Sequence, residues 1–140
     1  MTGSALSAPT LALGLLAGVL GLGACAMQAE MPQPSEGAKL YANNCAACHG
    51  HRAMGDEPLI GGQIAPDLTM LASRNDGTFP RAEVLSQIDG YAKGTHVGRV
   101  MPEFGAVLTG ETVPVDIEGT LTPTPRPLAA LLAYLEDVQT

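Results

Sequence analysis

Cys45-Ala46-Ala47-Cys48-His49 constrains this chain more than any other stretch. Two cysteines separated by two residues, with a histidine directly after the second, have the spacing at which a polypeptide is stitched covalently to a haem. Each thiol can form a thioether to one vinyl group, and the adjacent imidazole is then carried under the ring, where one nitrogen can bind iron. The pattern predicts one covalent haem c, attached through Cys45 and Cys48, with His49 as an axial ligand.

Two other chemistries use the same residue types. A thioredoxin-like dithiol wants a strand before the cysteines and a long helix after them, whereas here Gly50, Gly55 and Pro58 follow within a few residues. A structural zinc site needs four ligands, usually with a second close pair of Cys or His. Cys25, His51 and His96 do not form such a pair.

The 140 residues make room for one domain. With no Trp, two Phe and three Tyr, the chain has few large rings to fill a core, and a haem would supply the missing apolar bulk. The charge is acidic: 14 Asp and Glu against seven Lys and Arg, a net of -7, all of it after Cys25. A nucleic-acid role is disfavoured because it needs a basic stripe. The natural complement is a redox partner with a basic docking face, steered by charge and weakened by salt.

Residues 1–25 carry no charged side chain, and Leu11 to Ala26 is an apolar run. The run is shorter than the roughly 20 residues a spanning helix needs, and small residues crowd its end, so it reads as an export signal. It lacks the usual basic residue ahead of the apolar run. Leu22-Gly23-Ala24-Cys25 resembles the lipobox of bacterial lipoproteins, in which Cys25 becomes the acylated first residue; Ala24-Cys25-Ala26 equally resembles an ordinary site cleaved after Ala26. Acylation is favoured because it gives the leftover Cys25 a use and anchors the protein to a membrane. The expected location is outside the cytoplasm, in a periplasm or anchored at its membrane. Residues 26–34 read as a flexible tether, and residues 35–140 as the folded domain.

The first helix is expected from Ser35, as its cap, to about Asn44, with Gly37 and Tyr41 sharing a face. Here the sequence resembles the class I (monohaem) cytochrome c family of bacterial exported type. Gly37-Ala38-Lys39-Leu40-Tyr41 followed by Cys45-Ala46-Ala47-Cys48-His49-Gly50 is similar to that family's N-terminal helix and haem motif. Further similarity lies at Pro66-Asp67-Leu68, at Met101-Pro102-Glu103-Phe104-Gly105, and at Ala133-Tyr134-Leu135. The resemblance spans the mature domain except for the segment 106–126. It implies an all-α cytochrome c fold of three to five helices around one covalent haem, with iron held by His49 and Met101, and with the Pro66 carbonyl accepting the other ring N–H of His49. It also implies that Tyr134 packs across the N-terminal helix.

Gly50 to Gln63 should be an irregular loop, with His51 at the surface. A short helix is expected over Asp67 to Arg74, and another after Pro80, ended by Gly90, with Val84, Leu85 and Ile88 facing the core. Of the six methionines, Met1, Met27 and Met31 lie in the signal or the tether. Met54 follows the proximal histidine too closely, and Met70 sits beside Leu68 and Leu71, where filling core space is its default use. Met101, in a loop before Pro102, is far enough along the chain to return on the far side of the ring; His96 is the runner-up ligand.

Within 106–126, Val113, Val115 and Ile117 alternate, Glu118-Gly119 offers a turn, and Thr120-Leu121-Thr122 a return, so a small β-hairpin insert competes with a proline-rich wrap. Such an insert would shield a haem edge or shape partner docking. Leu128, Leu131, Leu132, Leu135 and Val138 then form one face of a closing helix from Pro127.

With both axial positions filled there is no open site for substrate. The expected function is one-electron transfer by His/Met-ligated haem c, not catalysis. The alternatives are an electron-accepting subunit of a periplasmic dehydrogenase and, less favoured, a gas-binding or peroxidatic haem protein.

Overall fold

The computed structural model describes residues 30–55, 62–91 and 101–140. Cys25, with the rest of the stretch expected as an export signal, and His96 lie outside them. Among the described residues the elements run α1 (Pro34–Asn44), α2 (Ala46–His49), α3 (Arg81–Asp89), β1 (Thr112–Ile117), β2 (Thr120–Pro125) and α4 (Arg126–Asp137), with a 3-10 turn at Ser73–Asn75. Helices with one added two-stranded antiparallel hairpin match the helical fold and insert expected from the sequence.

α1 starts one residue before Ser35, and Ser35 is not its cap. Pro34 occupies the first turn, where its missing N–H costs nothing. The Gln33 N–H donates to Glu36 Oε1 at 3.3 Å, and the Glu36 N–H donates to the Gln33 carbonyl at 2.9 Å. Met31 packs against the core and Pro32 is buried, so the packing of the domain begins within the stretch expected as a tether.

α1 and α4 cross at Gly37. A Cβ there would stand 1.9 Å from the Ala130 carbonyl oxygen and 2.7 Å from Tyr134 Cβ, so only glycine permits the approach. One turn on, the rings of Tyr41 and Tyr134 pack with centroids 5.0 Å apart and planes tilted by 44°, a favourable arrangement for two aromatic quadrupoles.

α4 is more central than its leucine stripe predicts. Ala129, Ala130 and Ala133 are buried along with Leu128, Leu131, Leu132 and Leu135. A helix apolar all round is a buried one, and here α1, α3 and the hairpin all pack against it. The hairpin is antiparallel, pairing Thr112 with Pro125 through Ile117 with Thr120. Glu118 and Gly119 form its two-residue turn, both with positive φ (52° and 83°), the combination whose twist matches that of the strands. Val113 and Val115 point inward and are fully buried, while Pro114 faces out.

Arg81 ties these parts together. Its Nε and Nη2 donate to Glu136 Oε1 and Oε2 at 2.7 and 2.9 Å, and its Nη1 donates to the Asp116 carbonyl at 2.9 Å, joining α3, α4 and β1. No helix among the described residues is long and apolar enough to cross a membrane.

Candidate haem site

α2 is a single turn continuing α1 through Cys45, whose N–H donates to the Tyr41 carbonyl at 2.8 Å. The Cys48 and His49 N–H groups both donate to the Cys45 carbonyl, at 3.1 and 2.9 Å. Residues three and four apart share a helix face, so this turn groups both thiols and the imidazole. Gly50 ends it with φ +75°. The Gly50 carbonyl accepts the buried Tyr41 hydroxyl at 2.8 Å, which fastens the motif to α1.

Cys45 and Cys48 are half-buried thiols not joined to each other. Burial, with a smaller contribution from Cys48, pushes the Cys45 thiol up to about 11. Dithiol redox chemistry depends on a lowered thiol pKa, so this environment runs against it. Nor does any cluster of three or more His, Cys, Asp or Glu side chains able to hold a metal occur among the described residues.

His49 is buried, and its Nδ1 lies 3.2 Å from the Pro66 carbonyl oxygen. With Nδ1–H donating there, Nε2 is the nitrogen left with a lone pair, the state that suits a metal-ligating imidazole. The loop after the motif brings Pro66 into place. Ala53 has positive φ, its carbonyl accepts the Leu68 N–H at 2.7 Å, and the Gly55 N–H donates to the His49 carbonyl at 3.0 Å. Gly55 has φ +69°, and a Cβ on it would meet the Ala65 carbonyl oxygen at 2.2 Å.

The helix expected over Asp67 to Arg74 is absent. A bend at Leu68 and turns over residues 69–72 take its place, and only Ser73–Asn75 is helical, of the 3-10 kind. Asp67 Oδ1 accepts both the N–H and the hydroxyl of Thr69, at 2.8 and 2.7 Å, a local turn that competes with helix initiation. The C-terminus supplies further partners: Gln139 donates to the Leu68 carbonyl at 2.8 Å and accepts the Ala72 N–H at 2.9 Å, while the Thr140 N–H donates to the Thr69 carbonyl at 3.1 Å. Gln139 thus positions the Pro66 segment, and no local sequence signal marks it for that role.

Among the candidate distal ligands, Met70 does not fill the core as expected. It is 38% exposed, and its Sδ accepts the Thr140 hydroxyl at 3.4 Å. Met54 is 46% exposed. Met101 is half-buried and packs against the core, with Gln87 Nε2 3.6 Å from its Sδ. Its segment is fastened to the end of α3, where the Phe104 and Gly105 N–H groups donate to the Ile88 and Asp89 carbonyls at 2.9 and 3.2 Å. Gly105 leaves no room for a side chain against Asp89. His51 is exposed. An open depression between residues 30–34 and the Arg81–Glu136 pair contains none of these site residues.

These residues fit a covalent haem: a pair of unlinked thiols on one helical face, an imidazole with one nitrogen already engaged, and a thioether held near the core. No curated protein and no solved structure matches the chain significantly. The family model for Cytochrome c matches residues 34–139, nearly all of the domain. The chain therefore belongs to the cytochrome c family, as a haem-based electron-transfer protein with one covalent haem c whose attachment motif Cys45 and Cys48 match.

Proposed function

We propose that this cytochrome is an exported one-electron carrier whose iron is held by His49 and Met101, working in a periplasmic or membrane-associated redox chain. The observation that carries the reading is the engagement of His49 Nδ1 by the Pro66 carbonyl, which leaves the Nε2 lone pair available to an iron. Support for Met101 comes from its burial against the core while Met54 and Met70 face solvent.

Bound at this motif, haem supplies an iron that changes by one electron. The protein's part is retention and restraint. Cys45 and Cys48 would hold the ring by thioethers, and the Pro66 carbonyl keeps the imidazole in one tautomer and orientation. The neutral, soft sulfur of Met101 favours the ferrous state. The uncharged apolar run before Cys25 supports export, and Cys25 itself supports a lipid anchor. The excess of acidic residues supports partners with basic docking faces.

The test is the optical spectrum of the holoprotein with and without Met101→Ala. The native ferric protein should show the weak long-wavelength band of methionine ligation, and the variant should lose it and gain carbon monoxide binding when ferrous. An unchanged spectrum in the variant would refute Met101 as the ligand.

A further inference from the structure

α3 holds the Met101 segment by two routes, one through its backbone and one through a side chain. Its last carbonyls, from Ile88 and Asp89, hold the backbone of the Met101 segment. Its Gln87 side chain reaches the methionine itself, with Nε2 3.6 Å from Met101 Sδ. Val84 and Ile88 bury the core face of this helix, so Gln87, three residues from one and adjacent to the other, stands at the edge of that face and is only half-buried.

A thioether sulfur is an acceptor only. An amide lying against it presents its N–H₂ edge, because the carbonyl edge would set lone pair against lone pair. Sulfur is a poor acceptor compared with water, so a glutamine free to reach solvent gains little stability from this contact. The consequence is chemical: the sulfur has two lone pairs, and if one accepts from Gln87, the other is left for the iron.

We propose that Gln87 is a positioning residue for the Met101 ligand, donating an N–H to its sulfur so as to select the iron-facing lone pair and favour the reduced state. The proposal rests on the reading of Met101 as the axial ligand. Two effects carry it in the same direction. Donation to the sulfur withdraws electron density, which weakens the thioether as a donor most where the iron is most electron-poor, in the ferric state. The positive end of the amide dipole, held beside the site, opposes the additional positive charge of ferric iron. Both disfavour oxidation.

The experiment is a redox titration of the holoprotein with Gln87→Leu and Gln87→Asn, recording the methionine-ligation band alongside. Leucine keeps the bulk and removes the donor; asparagine keeps the amide but is one methylene too short to reach. Only the difference in this bond between the two iron states moves the potential, and a neutral hydrogen bond contributes at most about 1.5 kcal/mol, so losing it should lower the ferrous-to-ferric ratio at fixed poise by up to roughly tenfold, or up to roughly 60 mV for one electron. Equal lowering in both variants, with the band retained or weakened, supports the proposal. A potential unchanged in both, or lowered in leucine alone, overturns it, since the second pattern assigns the effect to local polarity and not to contact with sulfur. If the leucine variant does not fold, the asparagine variant decides by the same criterion. Failure of the underlying reading looks different: the native protein would then lack the band, or Met101→Ala would leave the spectrum unchanged.

Discussion

Replacing Gly37 by alanine tests the helix crossing on which the fold turns. The added Cβ would lie 1.9 Å from the Ala130 oxygen and 2.6 Å from its carbonyl carbon, where ordinary contact begins near 3.4 Å. Both atoms are backbone and cannot swing aside, so α1 and α4 must part by roughly 1.5 Å. A gap of about 1 Å already forfeits up to about half of the dispersion energy of each contact, and the Tyr41–Tyr134 pair lies along the same seam. Overpacking of this kind costs about 1–3 kcal/mol, with backbone-on-backbone clashes at the upper end. Alanine's better helix propensity returns about 1 kcal/mol. The net loss is about 2 kcal/mol, which in a domain of roughly 100 residues lowers Tm by about 8 °C. Thermal melts of the oxidised holoprotein, followed by far-ultraviolet circular dichroism, measure this. Ala42→Gly, at an exposed position in α1, calibrates propensity and should cost about 1 kcal/mol. A Gly37→Ala protein as stable as the native one, or more stable, would refute the close crossing.

Two further predictions concern the ion pairs. In a double-mutant cycle of Arg81→Met with Glu136→Gln, followed by urea unfolding, the coupling should be about 1 kcal/mol, because the bidentate geometry is good but 36% of the arginine side chain is exposed. It should shrink at 1 M salt; zero coupling at low salt would remove the pair from the account. Glu36 bears on acid stability. The Gln33 N–H, then Arg126 Nη2 at 3.1 and 3.2 Å from its two oxygens, hold its carboxyl below the ordinary 4.5. A depressed folded value stabilises the protein above the unfolded pKa, and the stabilisation is lost as pH falls through the folded value. Hence the Tm gap between native protein and Glu36→Gln should be constant near neutrality and close in acid below 4.5. A gap that widens in acid would reverse the sign.

The parts of this molecule that were legible in sequence are those governed by neighbours along the chain. Cys45, Cys48 and His49 share a face because three and four residues are one helical turn. Gly37 and Tyr41 follow the same spacing, and the alternation Val113, Val115 around Pro114 announces a strand. Legibility ends where distant residues decide. Asp67 looked like a helix start, yet it closes a turn on Thr69, and Gln139 and Thr140, some 70 residues later, take the backbone groups a helix would have used. Met70, beside Leu68 and Leu71, read as core and faces solvent instead. The alanines of α4 carried no sign that they would be buried as fully as its leucines. Gln87 showed no pattern at all, since its role exists only when the Met101 loop folds back onto α3.

These long-range contacts converge on α4, and that bears on electron transfer. The His49 side of the site is tied to α4 through the Tyr41 contact across the Gly37 crossing, and to the residues directly after α4 through the Gln139 and Thr140 bonds to the Pro66 segment. The Met101 side is referred to it through α3, by the packing of α3 on α4 and by Arg81 on Glu136. An iron that gains and loses an electron moves its ligands less when both are fixed to one body, and less movement means a smaller reorganisation barrier at each transfer. On this argument the hairpin acts at a distance: Asp116 accepts from Arg81, so the insert braces α3 against α4. Loosening Arg81 should therefore disturb the Met101 segment, the proposed second ligand, before it disturbs the Cys45–His49 turn, which is tied to α1 by bonds of its own.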